Sequence, residues 1–145
     1  MRPIYERSED RRAQGAVIHR FCEAYPCFPV EMPMLCGWDY ELHKGGKVVA
    51  LVEVKCRLCG YRKYPTYMIS KRKVQHLVGD ATARDIAPIL LVGWVNRLGW
   101  VRLDRCEMTE AIGGREDRAD PMDIEPVFHI PIAAFRWVEQ RQASP

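Results

Sequence analysis

Three polar side chains stand near the ends of two stretches that read as β-strands. The segment 38–57, WDYELHKGGKVVALVEVKCR, predicts two strands joined by a Gly-Gly turn. The second strand is mostly apolar but carries Glu53 and Lys55 close to its end, and Asp39 lies on the first strand. Residues two apart share a strand face, so Glu53 and Lys55 lie on one face. Pairing across the turn brings Asp39 within a residue or two of Glu53.

Two neighbouring carboxylates next to a lysine favour a metal site. Desolvation and mutual repulsion make such a pair of acids costly, and a divalent cation removes the conflict. Mg²⁺ prefers hard oxygen ligands, here Asp39, Glu53 and the main-chain carbonyl of Val54. Lys55 could then activate or hold a water molecule, or stabilise charge on a phosphorane-like transition state. The set predicts phosphodiester hydrolysis; the alternative is a surface strand with an ordinary Glu53–Lys55 salt bridge.

The elements around these residues predict an α/β domain. A helix is expected over 8–24, where Ser8 caps the start and apolar residues recur at helical spacing. Strands are expected over 31–36, 38–44 and 47–57, followed by a loop over 61–67 and a helix over 68–85. Further strands are expected over 87–95, 98–104 and 127–132, with a polar loop over 113–126 and a helical turn over 133–140. The order predicts a mixed central sheet flanked by helices in one domain, residues 1–145.

The segment 55–76 is rich in lysine and arginine and contains no acid. Ser70 and Lys73 share a helix face that we expect to point toward Glu53, where Lys73 could contact the scissile phosphate or orient Glu53. We interpret the segment as a nucleic-acid-binding surface, in which basic side chains contact phosphates and tyrosines stack on exposed bases. The alternative is a solvated polar face with tyrosines that pack the loop. The further residues assigned to this surface are Arg62, Lys63, Tyr67, Lys71 and Arg72, with Tyr64 beside them.

Composition sets broad limits. The chain has 145 residues, a net charge of +3 and 48% hydrophobic residues, enough to form a core. The charged N-terminus lacks the apolar centre of a signal peptide and no apolar run is long enough to span a membrane, so a cytoplasmic protein is expected. Of the six cysteines, Cys56 and Cys59 have the spacing of half a zinc site, but ordinary reduced thiols are the simpler interpretation.

The motif Asp39-x13-Glu53-Val54-Lys55, followed by Ser70-x-x-Lys73 on the next helix, resembles the PD-(D/E)XK nuclease superfamily. The segments ALVEVKCR and YPTYMISKRKVQ are similar to small phage-encoded members of the Holliday-junction-resolvase-like and VRR-type groups. The resemblance implies a restriction-endonuclease-like αβββαβ core.

This resemblance also implies roles for the residues. Asp39 and Glu53 would bind Mg²⁺ or Mn²⁺, and Lys55 would be the catalytic lysine. A first-helix glutamate often completes such sites; Glu9 is favoured here, although Glu23 and Gln14 lie on the same helix.

The expected function is therefore metal-dependent hydrolysis of DNA in phage recombination, repair or processing, by a single domain or a homodimer. The rival hypothesis is a non-catalytic protein that uses a nuclease-like fold to bind nucleic acid or another protein. A third hypothesis is an interaction domain held together by zinc at Cys56 and Cys59.

Overall fold

The computed structural model describes residues 8–113 and 125–139, with side chains from residue 10 onward. Two helices and two β-sheets make up this part of the chain. The helices are α1 (Ser8–Ala24) and α2 (Lys71–Ala83). The strands are β1 (Phe28–Glu31), β2 (Tyr40–Lys44), β3 (Lys47–Cys56), β4 (Thr66–Ser70), β5 (Ala87–Gly93), β6 (Leu98–Arg102), β7 (Thr109–Gly113), β8 (Glu125–Pro131) and β9 (Arg136–Val138).

The six-stranded central sheet is mixed and has the order β1-β2-β3-β5-β6-β9. Its two central strands, β3 and β5, are parallel, and α2 lies in the connection between them. All other neighbouring strands in this sheet are antiparallel. Strands β3 and β5 are apolar on both faces because both are covered, as expected for parallel strands at the centre of a sheet.

The core has one layer on each face of the central sheet. On one face, Ile18 and Phe21 of α1 pack against Val52 and Val54. On the other face, α2 and the small sheet β4-β8-β7 pack over Leu51 and Leu90, with Ile69 and Ile130 contributed by that small sheet. Because side chains alternate along β3, Glu53 and Lys55 point toward the α2 layer.

A β-bulge sets the register of the hairpin that carries the acids. Gly45 and Gly46 take positive φ values of 59° and 78° at the turn, a conformation that suits glycine. The register shifts between Leu42 and His43, so that Tyr40 pairs with Val52. One residue further along, Asp39 continues the pairing, and its main-chain N–H donates to the Val52 carbonyl at 2.9 Å. The bulge thus brings Asp39 level with Glu53.

The predicted αβββαβ core is confirmed, and several predicted boundaries are wrong. The first strand is β1, which ends at Glu31 instead of beginning there. The loop over 61–67 ends early, because β4 begins at Thr66 and α2 begins only at Lys71. The helical turn over 133–140 is instead a short 3₁₀ helix, Ile132–Ala134, followed by β9.

Strand β7 was not predicted, and with β4 and β8 it forms a second sheet that the sequence pattern did not reveal. The predicted polar loop lies mostly outside the described residues, but Gly113 and Glu125 at its two ends belong to strands. None of the described helices is long and apolar enough to cross a membrane.

Candidate active site

A cleft of about 400 Å³ opens at the carboxyl end of β3. The first turns of α1 form one side, the segment before β2 forms another, and the first turn of α2 closes it. The polar side chains in its wall are Asp10, Gln14, Asp39, Glu53, Lys55, Arg57 and Lys73. The cleft therefore contains all three residues of the sequence motif, Asp39, Glu53 and Lys55.

Glu53 is the one buried charged residue in the described part of the chain, with 2% of its surface exposed. Its Oε1 atom lies 2.6 Å from Lys73 Nζ and 3.3 Å from Lys55 Nζ. A buried carboxylate without partners would be strongly unfavourable, and two ammonium groups compensate its charge. Because burying a charged side chain costs free energy, we interpret Glu53 as a residue of the cleft and not as part of the apolar core.

Asp39 is fixed by the strand that carries Glu53. Its Oδ2 atom accepts a hydrogen bond from the Val54 main-chain N–H at 2.8 Å. Burial and then the charge of Glu53 raise the pKa of Asp39 from 3.8 to about 6, against the opposing effects of the Val54 hydrogen bond and the nearby lysines. Glu53 is thus close enough for its charge to disfavour ionisation of Asp39.

Lys73 enters the site from the start of α2. Ser70 precedes the helix, and its hydroxyl accepts a hydrogen bond from the Lys73 main-chain N–H at 3.4 Å, which caps the first turn. Burial alone would lower the pKa of Lys73, but its contact with Glu53 outweighs burial and raises it. Lys73 is therefore a positive charge held against Glu53. Ser70 itself does not line the cleft; its hydroxyl lies 3.5 Å from Glu125 Oε2 on β8.

Among the described side chains of α1, the acid that lines the cleft is Asp10, with Gln14 one turn further along. The side chain of Glu9, the acid favoured from the sequence, lies outside the described residues. Glu23 is at the far end of the helix, where its Oε1 lies 3.1 Å from His19 Nε2. Asp10 was not among the candidates that the sequence suggested for this acid. Its spacing of four residues from Gln14 was the available signal.

The donors in the cleft fit a hard divalent cation. Asp39 and Glu53 supply carboxylate oxygens, and Val54 and Asp10 line the same cleft. Burial and the charge of Glu53 raise the pKa of Asp39, so a cation beside this carboxylate would be favourable. No three His, Cys, Asp or Glu side chains within 10–113 and 125–139 form a cluster that could hold a metal alone. Mg²⁺ commonly completes its shell with carbonyls, waters and substrate oxygens, so the donor set suits it.

The predicted nucleic-acid-binding residues have different placements. Arg62, Lys63 and Arg72 are exposed. Lys71 donates to Glu110 Oε1 on β7 at 2.7 Å, so its charge is partly neutralised.

The proposed role of Tyr67 in base stacking needs correction. Only 5% of the Tyr67 surface is exposed, because its ring packs edge-on against Trp94 and Phe135 in the core. Tyr67 is buried because it lies on strand β4, at a position that faces the core, and not in the predicted loop.

Arg57 is a cleft residue that was not singled out from the sequence. It follows β3, lines the cleft, and donates a hydrogen bond to the Tyr67 hydroxyl. Its guanidinium carbon also lies 4.9 Å from the centre of the Tyr67 ring. Tyr67 thus positions an exposed arginine beside the cleft. The signal was its place two residues after Lys55.

Cys56 and Cys59 are both free thiols, with Cys56 exposed and Cys59 partly buried. Among the residues that the structure describes, neither thiol belongs to a group of three or more His, Cys, Asp or Glu side chains that could hold a metal ion. A four-ligand structural zinc site therefore has no support from the described residues.

The fold and the cleft together define a PD-(D/E)XK nuclease-like domain. The chain is similar to a solved structure of Hjc, a Holliday junction resolvase from the archaeal hyperthermophile Archaeoglobus fulgidus, with a TM-score of 0.61 over 88% of this chain and 87% of that chain. Sequence identity to it is 15%, so this likeness concerns the fold.

The profile of the family described as "Phage putative PDDEXK endonuclease" matches residues 1–138, and the chain belongs to that family. A comparison with curated proteins found no match.

Proposed function

We propose that this protein is a divalent-metal-dependent nuclease that hydrolyses DNA phosphodiester bonds. The observation that carries the proposal is the meeting of Asp39, Glu53 and Lys55 in one cleft at the end of β3. Membership of a phage family with an endonuclease description supports the reaction class. The fold likeness to a Holliday junction resolvase supports DNA as the substrate.

In this mechanism, Asp39, Glu53 and the Val54 carbonyl would hold Mg²⁺ or Mn²⁺, with Asp10 as a further acid on the same wall. The bound ion would lower the pKa of a water molecule and draw charge from the phosphate. Lys55 donates a hydrogen bond to the attacking water and places positive charge beside the phosphate. Lys73 holds the Glu53 carboxylate in place through their ion pair.

The surrounding basic side chains would position the DNA. Arg57 reaches the phosphate next to the cleaved bond, while Arg62, Lys63 and Arg72 contact phosphates further along the strand. These contacts carry charge but no base specificity. A role in phage recombination, repair or genome processing fits such a site, and a homodimer would let two sites act on two strands.

The test is cleavage of labelled DNA with Mg²⁺ or Mn²⁺, using linear, nicked, circular, single-stranded and four-way-junction substrates. Glu53→Gln and Lys55→Ala should each lower the rate at least about 100-fold. Lys47→Ala is the matched control, because Lys47 is exposed at the other end of the same strand. Cutting of the circle would show endonuclease action.

Calorimetric binding of Mn²⁺ separates catalysis from other roles of the fold. Wild type should bind the ion, and Glu53→Gln should bind it far more weakly. If wild type cleaves none of these substrates and binds no Mn²⁺, the proposal fails and a non-catalytic binding protein takes its place.

A further inference from the structure

A second cavity, of about 760 Å³, lies next to the catalytic cleft. We call it the aromatic pocket. Its wall is mostly apolar and aromatic, formed around the segment between β3 and β4 and closed by Trp94, Ile132 and Met68. The aromatic residues in its wall are Tyr61, Tyr64, Tyr67 and Trp94. Cavities of this size with such walls are typical of sites for small organic ligands.

Arg57 lines both the aromatic pocket and the catalytic cleft. Its guanidinium is held by the Tyr67 hydroxyl and stacks on the Tyr67 ring. A phosphate bound by Arg57 would therefore stand between the metal-binding acids and the pocket. A ligand group in the aromatic pocket would then be attached, or adjacent, to the phosphate whose bond is cleaved.

The rim of the aromatic pocket is positively charged. Lys63 Nζ lies 5.5 Å from the centre of the Tyr64 ring, and the Arg62 guanidinium carbon lies 5.3 Å from the centre of the Tyr61 ring. Among the described residues that line the pocket, none is acidic. This combination favours a ligand with a flat apolar face and nearby negative charge.

One edge of the pocket is polar. Thr66 Oγ1 lies 2.8 Å from His129 Nδ1 across the β4–β8 pair, and both residues line the pocket. A hydroxyl and an imidazole can each donate and accept hydrogen bonds. An aromatic wall with a donor and acceptor edge is the environment in which enzymes bind an extruded base.

We propose that the aromatic pocket receives an unpaired nucleobase next to the phosphate in the catalytic cleft. The inference rests on the proposed nuclease function and specifies its substrate class as DNA with an unstacked base near the cut. Tyr64 is the stacking residue, because 58% of its surface is exposed at the mouth of the pocket. A fully paired base stays inside the duplex and reaches the pocket only at the cost of unstacking.

The first experiment measures binding without cleavage. A single-stranded oligonucleotide carries the fluorescent base 2-aminopurine, and binding is followed in EDTA. Wild type should quench the emission by stacking, and Tyr64→Ala should lose the quenching and bind about 5- to 100-fold more weakly. Tyr64→Phe, which keeps the ring, should behave as wild type. Leu58→Ala is the control, because Leu58 is fully exposed on the same segment and does not line the pocket.

The second experiment measures cleavage. The bond cut by wild type is mapped, and the flanking nucleotide is then replaced by an abasic residue. Wild type should cut the intact substrate about 10-fold or more faster than the abasic substrate. In Tyr64→Ala this ratio should fall toward one, while Leu58→Ala keeps the wild-type ratio.

The two proposals fail in different ways. If wild type cuts DNA but the intact and abasic substrates react alike, the base pocket is wrong and the nuclease proposal stands. If wild type cuts nothing yet quenches 2-aminopurine in a Tyr64-dependent manner, the nuclease proposal is wrong and the base pocket stands. Equal quenching and affinity in wild type and Tyr64→Ala overturn the pocket.

Discussion

Lys73, on the first turn of α2, places its Nζ atom 2.6 Å from Oε1 of Glu53 at the centre of the main sheet. This contact joins the helix at the end of the basic segment to the strand that carries Glu53 and Lys55. It also ties the charge of a nearly fully buried carboxylate to a residue outside the three-residue motif. The same ion pair therefore contributes to the stability of the domain and holds Glu53 in position at the cleft.

Lys73→Met should destabilise the protein by about 1–3 kcal/mol. Removal of one partner leaves the buried Glu53 with Lys55 alone, and breaking a buried pair costs about 3–5 kcal/mol. The smaller figure applies because 38% of the Lys73 side chain is exposed, which screens its charge. Urea-induced unfolding followed by tryptophan fluorescence measures the change.

Lys71→Met is the matched control, since Lys71 lies on the same helical turn and also pairs with a glutamate. Its partner Glu110 is 53% exposed, so the loss should stay below about 1 kcal/mol. Equal destabilisation by the two substitutions would show that the burial of Glu53 does not matter to the pair.

Asp39→Asn should stabilise the protein at pH 7 while abolishing cleavage. The folded-state pKa of Asp39, about 6, lies above its ordinary value of 3.8. Between about pH 4 and pH 6 the folded state therefore binds more protons than the unfolded state, and the free energy of unfolding falls as pH rises. Removing the ionisable group should recover on the order of 1–2 kcal/mol after solvent screening is allowed for.

The pH dependence distinguishes this cause from a general packing effect. In EDTA, the gain from Asp39→Asn should be full above about pH 6. It should fade below about pH 4, where Asp39 becomes protonated in the unfolded state as well as in the folded state. Mn²⁺ should raise the melting temperature of wild type but not of the variant. A gain of the same size at pH 4 and pH 7 would contradict the electrostatic explanation.

Asp10→Asn should weaken Mn²⁺ binding about 10- to 100-fold, since Asp10 is the described α1 acid that lines the cleft. Glu23→Gln serves as the control, because Glu23 lies at the opposite end of α1 beside His19. Calorimetry at pH 7 compares the two variants with wild type. Unchanged Mn²⁺ affinity in Asp10→Asn would contradict this prediction and leave Glu9 as the candidate metal ligand on α1.

The sequence predicted the positions of the acids because strand alternation and a glycine turn are local rules. Glu53 and Lys55 share a face by their spacing alone. The predicted pairing was still uncertain by one or two residues, because the β-bulge between Leu42 and His43 cannot be recognised from the amino-acid sequence. Only the observed register brings Asp39 level with Glu53.

The second sheet escaped prediction for a different reason. Strand β8 pairs with β4, which lies far from it in the chain, and β7 pairs with β8. Partners that are not neighbours in sequence leave little local pattern. The burial of Tyr67 follows from this sheet, since β4 carries it into the core. The position of Arg57 depends in turn on its hydrogen bond to the Tyr67 hydroxyl, so this position could be found only from the tertiary structure.

Replacing both Arg62 and Lys63 by glutamine should weaken DNA binding and change its salt dependence. Both side chains are exposed at the rim of the aromatic pocket. Each phosphate contact contributes about one unit to the slope of log affinity against log salt, so the slope should become shallower by about two. Fluorescence anisotropy in EDTA at several salt concentrations measures it. Arg84→Gln, which removes an arginine paired with Glu41 at 3.0 Å, should leave the slope unchanged. A wild-type slope in the double variant would place the DNA path away from this rim.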